Sequence, residues 1–145
     1  MRENNMKIEF DSVSENEGFA RVAVAAFASQ LNPTIEEIED IKTAVSEAVT
    51  NAIIHGYPYS VEKVFVTASI KERTLYLQVQ DKGCGIENIA KAMEPMYTTR
   101  PDLERSGMGF AFMEAFMDDV HIESHVNQGT TVFMKKTIYG SDDQE

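Results

Sequence analysis

The stretch from Thr34 to Gly56 constrains this chain more than any other. Asn32-Pro33 interrupts whatever precedes it. Thr34-Ile35-Glu36-Glu37 then reads as a capping box, in which the threonine hydroxyl and the glutamate three residues on satisfy each other's free amides. Behind it Ile38, Ile41, Val45, Ala48, Val49, Ala52 and Ile53 recur at helical spacing. A long helix with one apolar face is therefore expected. It should end near His55-Gly56, with the glycine in a left-handed cap, before Tyr57-Pro58-Tyr59 turns the chain.

One apolar stripe needs a surface to cover, and the flanking sequence supplies a sheet. Val64, Val66, Ala68 and Ile70 alternate with Phe65, Thr67 and Ser69, and Leu75, Leu77 and Val79 alternate after a polar turn at Glu72-Arg73. This is a hairpin pattern. Met6 to Phe10 reads as a short strand, and further strands are expected at 121–125 and 130–136. Ser12 or Ser14 can cap an earlier helix reaching about Leu31, with Phe19, Val22, Ala26 and Phe27 at helical spacing. Ile86 to Met93 allows one or two helical turns, and a helix is expected from Gly109 to about Met117. Glu94 to Met108 has no steady period and reads as a long loop, a kind usually functional or mobile. The expected architecture is a two-layer α/β sandwich, with helices on one face of a mixed or antiparallel sheet. It should form a single domain over 1–138, with a frayed tail at 139–145.

Composition narrows the function classes. The chain has 145 residues, 43% hydrophobic, which suits one domain with a real core. A net charge of −11 argues against DNA, RNA or anionic membranes as partners and favours a partner with a basic surface. No apolar run has membrane-spanning length, and residues 1–5 have no signal-peptide character. The single cysteine, Cys84, leaves no internal disulfide framework, and a reducing cytoplasm is the simplest address.

Three segments carry chemistry. Glu47 and Asn51 lie four apart and share a helix face. A carboxylate there can act as a general base, and an amide oxygen is a hard ligand suited to Mg²⁺. Taken alone, the pair more readily fits the polar edge of an ordinary helix. Asp81-Lys82-Gly83-Cys84-Gly85 follows a strand. The aspartate can accept from an amine such as that of adenine, and the glycines allow close approach of a ligand; a tight turn with an Asx hydrogen bond reads as well. Arg105-Ser106-Gly107-Met108-Gly109 closes the long loop at a helix start, where free amides favour phosphate; a plain helix cap reads as well.

In this order and spacing the three segments resemble the N, G1 and G2 boxes of the GHKL ATPase/kinase superfamily, which includes gyrase, histidine kinases and MutL. A narrower resemblance is to the anti-sigma factor kinases of sporulating Bacillus relatives. It rests on the run Ser46-Glu47-Ala48-Val49-Thr50-Asn51-Ala52-Ile53-Ile54-His55-Gly56-Tyr57, on Thr98-Thr99-Arg100-Pro101-Asp102-Leu103-Glu104-Arg105-Ser106-Gly107-Met108-Gly109-Phe110, on Glu114-Ala115-Phe116-Met117-Asp118-Asp119-Val120 and on Asn16-Glu17-Gly18-Phe19-Ala20-Arg21. It spans nearly the whole chain.

The resemblance implies a Bergerat-type ATP-binding fold and a protein serine/threonine kinase using ATP with Mg²⁺. It places Mg²⁺ on Asn51, the base on Glu47, adenine on Asp81 with Gly83 and Gly85 shaping the pocket, and the phosphates on a lid and G2 segment that includes Thr98, Thr99, Ser106, Gly107, Met108 and Gly109. Thr130 is a further adenine-side candidate, and Arg105 a phosphate-sensing one. The implied partners are a sporulation sigma factor, sigma F, held by a homodimer, and an anti-anti-sigma factor phosphorylated on serine. Glu17 and Arg21 are expected to form a partner contact. Histidine kinases have glycine where Arg105 stands, and no segment with a phosphoacceptor histidine precedes the long helix, so histidine autophosphorylation is not expected. A nucleotide-gated binding module without kinase activity is the competing reading, and an ATPase driving conformational change is the third.

Overall fold

The computed structural model describes residues 2–94 and 109–140. In chain order the elements are β1 (Asn4–Asp11), α1 (Glu15–Ala28) with a 3₁₀ turn at Ser29–Leu31, α2 (Ile35–Asn51), a π turn at Ala52–Gly56, β2 (Lys63–Lys71), β3 (Thr74–Asp81), α3 (Ile89–Ala92), α4 (Gly109–Phe116), β4 (Asp119–His125) and β5 (Gly129–Thr137). The strands form one sheet in the order β1-β2-β3-β5-β4, and every described pairing is antiparallel, which narrows the mixed-or-antiparallel expectation.

Alternation decides which sheet face is covered. One row runs across the register through Ile8, Val66, Val79, Val132 and Ile122. Val64, Val66, Ala68, Ile70, Leu75, Leu77 and Val79 are all buried under the helices. α2 answers with Ile41, Ala44, Val45, Ala48 and Val49, each essentially inaccessible. Each larger aliphatic side chain among these contributes about 1.5–3 kcal/mol by leaving water. The capping box is present in full: the Glu37 amide donates to Thr34 Oγ1 at 3.0 Å and the Thr34 amide to Glu37 Oε1 at 2.9 Å. The same carboxylate accepts from the amides of Tyr139 and Gly140, at 2.8 and 3.1 Å, which ties the chain after β5 to the start of α2.

Three local expectations are corrected. α1 buries Ala20, Val24 and Ala28, while Phe19 and Val22 are more than half exposed. Small residues spaced four apart let α1 lie close on its neighbours, and Phe19 instead sets its ring edge-on to Phe10 at 6.2 Å. Neither serine caps α1 through its side chain: Ser14 stands at the cap without that hydrogen bond, and the Ser12 hydroxyl accepts from the Glu62 amide, pinning β1 to the approach to β2. Gly56 is not a left-handed cap, since α2 widens into the π turn and the glycine ends it without a positive φ. Its lack of a side chain serves the site instead.

Candidate nucleotide site

The π turn delivers the end of α2 against the end of β3. There Cys84 donates its amide to the Gly56 carbonyl at 2.9 Å. A Cβ on Gly83 would sit 1.8 Å from that carbonyl oxygen, and one on Gly56 would lie 2.6 Å from the Asp81 carboxyl carbon. Only glycine permits this approach. Gly85 takes a φ of 76°, the left-handed region, as its backbone passes His125. The Asn127 amide then donates to the Cys84 carbonyl, so the loop after β3 is held from both sides.

Beside this junction lies a cavity of about 700 Å³, within the usual range for small-molecule sites. Asn51, Asp81, Gly85, Gly109 and Thr130 all line it, which brings together residues from four separate stretches of sequence. Gly83 faces an adjoining, smaller recess and acts on the cavity through the backbone wall it shares with Gly56. Glu47 sits one turn before Asn51 on α2, outside the described lining. Thr98, Thr99, Arg105, Ser106, Gly107 and Met108 fall outside the described residues. Glu17 and Arg21 lie on α1, away from the cavity lining, and pair with each other at 3.5 Å.

Asp81 is the buried carboxylate of the site, with 6% of its surface exposed. Burial pushes its carboxyl up to about 6, against the pull of the Gly83 and Thr130 amides, which favour the charged form. The Gly83 amide donates to Oδ1 at 3.0 Å. Near neutral pH the group is an ionised acceptor at the cavity wall. Asn51 contributes a buried side-chain amide whose nitrogen has no hydrogen-bond partner among the described residues. The buried nitrogen is a donor and cannot bind a cation; the amide oxygen of this cavity-lining side chain is the atom that fits Mg²⁺ held by one side chain and by nucleotide phosphates. Among the described residues no cluster of three or more His, Cys, Asp or Glu side chains is placed to hold a metal.

Sequence reasoning missed other lining residues, among them Asn88 and Lys91. Asn88 caps the short α3 by accepting from the Lys91 amide at 3.0 Å; an Asn ahead of a helical turn was the available signal.

Comparison with known proteins agrees with this geometry. Residues 12–136 match the family model described as a histidine kinase-like ATPase domain. The chain is 61% identical over 136 residues to the anti-sigma F factor of Clostridium acetobutylicum, covering 94% of this chain and 95% of that one. The chain belongs to the anti-sigma F factor family. Other members include those of Clostridium kluyveri, 62% identical over 95% of this chain and 97% of theirs, and of Geobacillus thermodenitrificans, 57% identical over 93% of each. A solved structure of the RsbU and RsbW domains of Rv1364c from Mycobacterium tuberculosis shares the fold, with a TM-score of 0.70 at 22% identity over 93% of this chain and 32% of that one. Membership brings an ATPase-type nucleotide-binding domain. Among the described residues no helix is long and apolar enough to cross a membrane.

Proposed function

We propose that this chain is a cytoplasmic, single-domain anti-sigma factor and protein serine kinase. As a homodimer it binds and inhibits a sporulation sigma factor, sigma F, and it phosphorylates an anti-anti-sigma factor on serine with Mg-ATP. The observation that carries the reading is the cavity at the α2–β3 junction, with buried Asp81 and the side chain of Asn51 on its wall. Its support from kinship is about 60% identity to anti-sigma F factors over nearly the full chain.

In this reading the Asp81 carboxylate accepts from the adenine amine. Gly83 and Gly85 keep the loop after β3 close enough for the base to enter, and Thr130 lies beside Asp81. Asn51 holds Mg²⁺, which when bound neutralises charge on the phosphates. Thr98, Thr99, Arg105, Ser106, Gly107, Met108 and Gly109 surround the phosphates. Glu47 takes the proton of the partner's serine hydroxyl. Catalysis is then mostly positioning and charge neutralisation. Glu17 and Arg21 form part of the partner contact.

The test is transfer of label from γ-labelled Mg-ATP to a candidate anti-anti-sigma protein. Label on a partner serine that disappears with Asn51→Ala is the expected result; no transfer by folded, nucleotide-bound wild type would refute the kinase. One observation favours the second reading, a nucleotide-gated sigma-binding module: Glu47 is outside the cavity's described lining. Transfer that survives Glu47→Ala would remove the base role, while loss of transfer with retained ATP binding would support it.

A further inference from the structure

Ser124, on β4, stands behind the cavity wall and is not part of the described lining. Its hydroxyl touches three groups. The Ile86 amide donates to it at 2.7 Å, the Gly129 carbonyl oxygen lies at 3.2 Å, and Thr130 Oγ1 lies at 2.7 Å. A serine hydroxyl has one hydrogen and two lone pairs. The Ile86 N–H takes one lone pair. The Gly129 carbonyl can only accept, so it takes the hydrogen. Thr130 must then donate its own hydrogen to the remaining lone pair. No other assignment meets all three contacts with the hydrogens available.

Thr130 therefore gives its hydrogen to Ser124 and offers the cavity lone pairs only. It sits directly across the β3–β5 ladder from Asp81, which when ionised also only accepts. Two acceptors side by side favour a ligand edge that carries N–H donors and disfavour one that carries an oxygen.

We infer that Ser124 is a positioning residue for base selection: by fixing Thr130 as an acceptor beside Asp81, it makes the cavity prefer an aminopurine to an oxopurine nucleotide. The inference rests on the nucleotide reading of this cavity. Adenine presents an amino group where hypoxanthine presents a carbonyl. A carbonyl facing fixed lone pairs leaves buried acceptors unpaired, a mismatch worth roughly tenfold or more in affinity.

ATP and ITP titrated into wild type, Ser124→Ala and Ser124→Thr test it, with thermal melts checking that each variant folds. Wild type should prefer ATP by roughly tenfold or more. Ser124→Ala frees the Thr130 hydrogen to turn toward a carbonyl, so the ATP-to-ITP ratio should narrow by about tenfold, and Ser124→Thr, which keeps a hydroxyl, should restore it. If Ser124→Ala weakens both nucleotides by the same factor, Ser124 only supports the loop and the inference is overturned. If Ser124→Ala fails to fold, Thr130→Val carries the same test: it removes the acceptor and should narrow the ratio, and an unchanged ratio overturns the inference. Wild type that binds ATP and ITP equally overturns the inference and leaves the nucleotide reading intact. Wild type that binds neither overturns the nucleotide reading itself.

Discussion

Burial raises the Asp81 carboxyl from its ordinary 3.8 to about 6, so the native state holds that proton more tightly than the unfolded chain does. The charged form is a cost to the native state that is fully present above about pH 6, and it fades as pH falls toward 4. A rise of that size corresponds to about 2–3 kcal/mol at most. Asp81→Asn removes the charge and keeps an oxygen for the Gly83 amide. Without ligand, this variant should melt several degrees above wild type at pH 7, with the gap closing as pH approaches 4. A melting difference that ignores pH would contradict burial as the cause. Nucleotide affinity should fall in wild type as pH drops below about 6, because protonation removes the Asp81 charge and turns one of its oxygens from acceptor to donor. Asp81 and Asn51 were singled out in the sequence by the order and spacing of three segments, since taken alone one reads as well as a turn and the other better as a helix edge; both line the cavity. Ser124 was not singled out. Its role comes from three contacts with Ile86, Gly129 and Thr130, and nothing in its own neighbourhood signals them.

Among the elements, α2 was the most legible. Its capping box and apolar stripe are written in consecutive residues, and both are present. The π turn at Ala52–Gly56 was not legible; it ends at Gly56, which packs against Gly83 and Asp81 far along the chain. The buried stripe of α1 departs from its periodicity because alanines, rather than Phe19 and Val22, make the close contact. Glu37 couples the helix start to the end of the sheet. Burial alone would raise its carboxyl, but the amides of Thr34, Tyr139 and Gly140 outweigh that and hold it below the usual value. Its contribution is thus present at neutral pH and lost as acid protonates it. Glu37→Ala should lower stability by about 1–2 kcal/mol in denaturant unfolding at pH 7, more than an isolated cap residue typically gives. Thr34→Ala should cost about 1 kcal/mol. Equal losses for the two would mean that the link to Tyr139 and Gly140 adds nothing.

The molecule as a whole is one antiparallel sheet covered by helices on one face, with the cavity at the rim where α2, β3, β5 and α4 converge. Alternation predicted the sandwich, because β2, β3 and β5 each bury alternate residues. The strand order was beyond sequence reasoning: β5 inserts between β3 and β4, a choice made by long-range packing. The Glu17–Arg21 pair on α1 lies away from the cavity lining, and its proposed partner contact is separable from nucleotide binding. Arg21→Glu should weaken sigma-factor binding roughly tenfold and leave ATP affinity unchanged; unaltered sigma affinity would exclude this face from the contact. The claim on which the rest depends is that the cavity binds a nucleotide through Asp81. Calorimetric titration of Mg-ATP into wild type and into Asp81→Asn, each shown folded by its melting curve, tests it directly. Binding to wild type at one site per chain, lost in the variant, is the predicted result; equal binding by both proteins, or none by wild type, would contradict it.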